Sequence, residues 1–234
     1  MLSNPFLSNY VLLLPGGGHT YFTHHRLLRC AKSTQRVYHL SVVYRKRERQ
    51  IQEKSLAFSS EKGYLETVKF LVTRRGADVH TNNDEALRWA SKHGHLEVIK
   101  FLILKGANMH AINDEALRLA SKYGHLEIVK FLVLEGADVH ARGDEALRWA
   151  SLYGHLGVVK YLVCVGADVH ASNDEALIWA SKYGYSEIIK FLIFEGADVH
   201  TMKDRALRYA QMNSHLEAVK NLVEKGAGIS RNNK

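Results

Sequence analysis

Residues 144–170 read DEALRWASLYGHLGVVKYLVCVGADVH, and the chain writes nearly the same line at 114–140 (DEALRLASKYGHLEIVKFLVLEGADVH) and again at 174–200 (DEALIWASKYGYSEIIKFLIFEGADVH). Self-similarity at a fixed period marks a chain built of stacked supersecondary units, each unable to bury its apolar face alone.

The columns of the repeat run well beyond these three lines. Asp84, Asp114, Asp144, Asp174 and Asp204 stand thirty residues apart, as do His80, His110, His140, His170 and His200. An earlier copy, EKSLAFSSEKGYLETVKFLVTRRGADVH (53–80), fits with one extra residue beside Arg74 and Arg75. The units fall at about 53–83, 84–113, 114–143, 144–173, 174–203 and 204–230, leaving a tail at 231–234.

Each unit is predicted to be two short helices. The Asp at its front is expected to cap the first helix through the orphan N–H groups of the first turn. Ala86, Leu87 and Ala90 form an apolar stripe whose small residues admit a close neighbour. Gly94 supplies the left-handed residue that ends the helix. In the second helix Leu96, Ile99, Leu102 and Ile103 share a face, with Glu97 and Lys100 paired on another. Gly106 ends it, and ADVH-like segments make a short extended turn into the next unit. In the last unit Asn221 replaces an aromatic and Asn213-Ser214 replaces a ring followed by glycine, the polar substitutions expected of a solenoid end.

The phrase GHLEIVKFLVLEGADVHA (124–141) strongly resembles the ankyrin repeat, and the match covers 53–230. The resemblance implies an all-α solenoid of about six helix-turn-helix units with short β-turn connections. The usual unit is about 33 residues with a T-P-L-H-x-A start; here EALRWA stands instead, the only prolines are Pro5 and Pro15, and three residues are missing where family members form a hairpin finger. The finger should be shorter. In this respect the chain resembles the ankyrin proteins encoded by giant, mimivirus-like viruses of amoebae.

Charge separates the head from the repeats. The formal net charge is +8, but residues 1–52 hold eight Lys/Arg against one acid, while the remainder balances 24 bases with 23 acids. The basic head is read either as a degenerate capping repeat, since LLRCAKS (27–33) echoes ALRWASK (86–92), or as a disordered arm. Nucleic-acid or acidic-surface contact is assigned only to the run Arg45–Arg49. Two cysteines, Cys30 and Cys164, exclude a disulfide framework and point to a cytoplasmic or nuclear setting, by the viral resemblance in a host cell. The run YVLLL lacks the marks of a signal peptide, and no stretch is long enough to span a bilayer.

Several columns carry residue types capable of chemistry. Neighbouring histidines of the ladder from His80 to His200 would stand about 8–10 Å apart, too far to share a metal ion, and are assigned structural roles. Imidazole titration leaves a pH response open to them. His95, His125, His155 and His215 resemble the family's inter-helix hydrogen-bonding histidine. The arginines Arg88, Arg118, Arg148 and Arg208, interrupted by Ile178, are expected in local ion pairs, Arg118 with Asp114 or Glu115. Trp89, Trp149, Trp179 and Tyr209 are expected to pack between units. LPGGGHT (14–20) lacks the ending of a phosphate loop. No nucleophile–base–orienter set is visible, so no catalytic residue, metal or cofactor is assigned.

What varies inside the constant frame is the end of the first helix: Lys92-His93, Lys122-Tyr123, Leu152-Tyr153 and Lys182-Tyr183, with the turn residues Arg142 and Met202. The resemblance puts this edge on the concave, partner-binding surface. Tyrosine is favoured at binding hot spots, so Tyr123, Tyr153 and Tyr183 are expected as anchors with lysines at the rim. The expected function is a non-enzymatic protein-interaction scaffold, monomeric, with a partner protein on that face. The alternative is an adaptor recruiting substrates to a ubiquitin ligase through the head.

Overall fold

Alanine at both ends of the first-helix stripe leaves one side of that helix with almost no bulk, and on that side the units meet. In the computed structural model, which describes residues 50–228, the chain forms a series of helix pairs. The readings of 14–20, 27–33, 45–49 and 231–234 lie outside the described residues. The helices are α1 (50–61), α2 (Leu65–Arg75), α3 (Thr81–His93), α4 (Leu96–Leu104), α5 (Ala111–Lys122), α6 (Leu126–Leu134), α7 (Ala141–Leu152), α8 (Leu156–Cys164), α9 (Ala171–Tyr183), α10 (Ser186–Phe194), α11 (Thr201–Met212) and α12 (Leu216–Glu224). No strand occurs among the described residues.

The first helices α3, α5, α7, α9 and α11 pack on one another in a tight inner row, and each also packs on its own second helix. Ala86, Leu87 and Ala90 are buried, as are their equivalents in the next four units. The second helices contribute Ile99 and Leu102, with Val98 joining them; Leu96 and Ile103 are only partly covered. Each fully buried Leu or Ile stabilises the stack by about 1.5–3 kcal/mol. The expected Glu97–Lys100 pair forms, at 2.7 Å.

The connections are built from turns. The Asp78 carboxylate accepts the His80 N–H at 2.9 Å, and the Thr81 N–H donates to the Asp78 carbonyl, closing a β-turn. Next come three residues in the left-handed region, Asn82, Asn83 and Asp84 at φ 53–57°, before the right-handed helix proceeds. The same left-handed turn recurs in four further units, even where it holds Ile112, Arg142 or Met202. The ADVH-like segment read as a short extended turn thus closes as a β-turn through His80, at φ -83° and ψ -2°, and the left-handed residues follow it. Ile112 is strained here, because a β-branched side chain is disfavoured at positive φ.

The aspartate at the end of this turn does not cap its own helix. Asp84 is 4% exposed, and its Oδ1 accepts the backbone N–H of Asn108, 24 residues on, and the His80 Nδ1–H at 3.1 Å. Asp114, Asp144 and Asp174 accept the N–H groups of Asp138, Asp168 and Asp198 in the same way. The acid thus ties one connecting turn to the next, and the histidine ladder is spent holding it.

The arginines also act between units. Arg118, 2% exposed, donates through Nε and Nη2 to the left-handed carbonyls of Asn113 and Ile112, and through Nη1 to Glu145. Its acid is therefore in the next unit, not the Asp114 or Glu115 of its own turn. Arg88 pairs likewise with Glu115 at 2.7 Å, and Arg148 with Glu175. Ile178 interrupts the column where the facing acid is also missing. Position 205 carries arginine, so an arginine at 178 would meet a like charge, and the buried isoleucine removes the conflict.

His95, His125, His155 and His215 donate Nε2–H to carbonyls of the preceding unit, at Glu61, Lys92, Lys122 and Lys182. Each ring lies on the glycine that ends the preceding first helix: a Cβ on Gly124 would stand 2.5 Å from His155 Nδ1. In the last described unit no ring follows, and Ser214 takes the glycine's left-handed place at φ 58°. Asn221, read as a solvated end residue, is instead 7% exposed, with no hydrogen-bond partner for Nδ2. It is shorter than the ring it replaces and sinks beside Ile193 and Phe194.

Candidate partner-binding surface

At the last turn of α3, α5, α7 and α9 the chain places a residue that cannot be buried, because the left-handed glycine turns the backbone away immediately after it. Tyr123, Tyr153 and Tyr183 occupy this position at 41%, 44% and 46% exposure. His93 holds the same place in α3, stacked on Trp89 with ring centres 5.7 Å apart and Nδ1 against the Trp89 carbonyl at 3.0 Å.

The preceding lysines are not a rim. Lys92 Nζ lies 4.4 Å from the ring centre of Trp89 and 5.7 Å from that of Tyr123, one unit on. Lys122 stands over Tyr123 of its own unit and over Trp149 and Tyr153 of the next, at 5.6, 5.1 and 5.2 Å. Lys182 repeats this over Trp179, Tyr183 and Tyr209, at 5.0, 5.4 and 5.7 Å. Each ammonium is held by the negative faces of rings from two units, worth about 0.5–1 kcal/mol per exposed contact. The column expected to pack between units does make contacts across them, with Arg118 and Lys122 over Trp149 and Lys182 over Tyr209, but its rings are half-buried and also form part of this surface. Part of the signal was present in the sequence, since Trp89 and Trp179 stand three residues before Lys92 and Lys182, one turn away, whereas Trp149 precedes Leu152 and takes its lysine from the preceding unit. Leu152 interrupts the ammonium row.

Four second-helix lysines are neutralised at home, whereas Lys160 is not. On the second helices Lys69, Lys100, Lys130 and Lys190 each pair with a Glu three residues earlier. Lys190 is held above its usual range by its hydrogen bond to Glu187, helped by Glu217. Lys92, Lys122 and Lys182 form no ion pair among the described residues. Glu61, at the edge of the row, is drawn below its usual range by Lys62 first, and by His93 and Lys92 through space. Glu85 is lowered by hydrogen bonds from the Asn82 amide and the Trp89 indole. At the far end the Arg205 guanidinium, hydrogen-bonded to the Tyr209 hydroxyl at 2.9 Å, lowers that phenol.

The two turn residues stand apart from this row. Arg142 and Met202 are exposed, but they open their first helices, whereas the tyrosines lie near the ends, roughly 15 Å away along the helix axis. Arg142 Nε is 3.8 Å from Glu145, and Met202 Sδ accepts an Arg205 N–H at 3.4 Å. Among the described residues no cluster of three metal-ligating side chains occurs, and no helix is long and apolar enough to cross a membrane.

The comparisons agree with this architecture. The family model "Ankyrin repeats (3 copies)" matches residues 28–113, 54–143, 88–173 and 147–233 in overlapping registers, the first of them beginning upstream of residue 53. No curated protein matches. Among solved structures the chain is similar to the crystal structure of the human ASB11 ankyrin repeat domain, with a TM-score of 0.66 and 24% identity over 76% of this chain and 86% of that one. With helix pairs stacked through Gly-His contacts and a family match across most of its length, the chain belongs to the ankyrin-repeat family.

Proposed function

We propose that the protein is a non-catalytic interaction scaffold that holds a partner protein across the row formed by Trp89, Tyr123, Tyr153 and Tyr183. The observation that carries this reading is the contrast between frame and row. Asp, Gly, His and Arg are repeated because each makes the same bond between units, whereas the exposed ring positions are bound by no such requirement and still present large aromatics. A ring held on a rigid helix loses little entropy when a partner covers it, which suits a binding anchor. Arg142 and Met202, at the other end of the first helices, would touch only a partner wide enough to span both edges.

The test is capture by the full chain from lysate of cells that express it, beside Tyr123→Ala/Tyr153→Ala/Tyr183→Ala. Loss of the captured partner with unchanged far-ultraviolet circular dichroism is the expected result. Equal retention by the variant would move the function away from this face.

A further inference from the structure

Resting on the reading of this row as the partner site, we propose that its ligand is an extended acidic peptide segment, with a carboxylate for each lysine and an apolar residue over Leu152. Three observations lead there. The ammonium groups of Lys92, Lys122 and Lys182 have no carboxylate partner among the described residues, whereas Lys69, Lys100, Lys130 and Lys190 on the second helices are each neutralised by a Glu three residues earlier; Lys160, with Gly157 in that place, stands apart on α8 over the Phe191 ring. Each ammonium rests on rings from its own and the following unit, fixed in place without losing its charge. The row also has a spacing. Packed helices lie about 8–10 Å apart, and an extended peptide in the polyproline-II form advances about 3.1 Å per residue with three residues per turn, so one unit answers to three peptide residues that return to the same face. Lys92, Lys122, Leu152 and Lys182 therefore call for acid, acid, apolar and acid at positions i, i+3, i+6 and i+9.

A single-stranded nucleic acid would meet the same cations, but it binds by stacking bases on open ring faces. Here the lysines lie over the faces of Trp89, Trp149 and Trp179, leaving the outward side of each ammonium as the contact point. A carboxylate fits that side directly.

The test is selection of displayed random 12-residue peptides on the full chain, followed by fluorescence anisotropy of the enriched peptides. Enrichment of Asp or Glu at three-residue steps is expected. Each single Lys→Met variant should weaken binding about threefold, and K92M/K122M/K182M about tenfold or more. Moving an acid by one position should weaken it comparably, and binding should fall as salt rises. Enriched peptides without acids, lost on Tyr123→Ala/Tyr153→Ala/Tyr183→Ala but indifferent to the lysines, would overturn the acidic ligand and leave the face as the site. Peptides indifferent to both sets would overturn the site as well. No enrichment would overturn the extended-peptide ligand. A 15-nucleotide oligothymidylate bound more tightly, and through the same lysines, would replace the peptide with nucleic acid.

Discussion

Arg118 shows how one residue can hold two units and yet be misread from its own neighbourhood. Its nearest acids in sequence are Asp114 and Glu115, but Asp114 faces the following turn and Glu115 belongs to Arg88. The true partner, Glu145, lies 27 residues on, because Glu115, Glu145 and Glu175 each serve the arginine of the unit before. The same logic gives a test at Ile178. Ile178→Arg should cost about 2–3 kcal/mol, since it buries a charge facing Arg205. Adding Arg205→Glu should recover more than half of that, and urea denaturation of the two single variants and the double measures the coupling. Additive losses would sink the pairing. Glu85 offers a second test. Its carboxyl is lowered by donors from Asn82 and Trp89, so their stabilising contact is present above the ordinary glutamate range and is lost as pH falls through the lowered value. The Trp89 indole N–H resonance should shift in that acid range and should not titrate there in Glu85→Gln.

At the scale of the element, the helix pairs were legible because periodicity and glycine placement act within about eleven residues. The buried Ala86, Leu87 and Ala90 and the left-handed Gly94 follow directly. The connecting turn was harder to read. Ile112, Arg142 and Met202 give no hint of positive φ, and the hint lay one residue on, where Asn83, Asn113, Gly143 and Asn173 tolerate it. The aromatic column meets the neighbouring units as expected, but a helical period alone does not say that one edge of its rings reaches solvent. Variation within the repeat singled out the ring and lysine positions of the proposed site; the seating of each lysine over rings of two units, which depends on how the units stack, was not legible. Two glycines separate backbone freedom from packing. A Cβ on Gly136 meets nothing within 4 Å, so Gly136→Ala should cost only the backbone strain, about 1–2 kcal/mol. A Cβ on Gly124 meets His155, so Gly124→Ala should cost about 3 kcal/mol or more. In a His155→Ala background that excess should vanish, as thermal melts of the four proteins would show.

For the molecule as a whole, the junctions from the second unit onward fall into two kinds: those that set an arginine against a glutamate, and the single one that sets Ile178 against Arg205. Recombination between copies of such a gene would lose or gain whole units, and the junction chemistry decides which products fold. Excising 114–143 brings Arg88 to Glu145 and renews the ordinary contact, whereas excising 174–203 brings Arg148 to Arg205, two cations in one slot. The first product should melt cooperatively as a shorter protein, and the second should be the less stable of two chains of equal length; equal midpoints would show that the junctions are interchangeable. The copies are thus words with a grammar: the fifth unit can be followed only by one that begins as the sixth does, which holds the order of the last two units fixed while the middle of the array is free to lengthen or shorten.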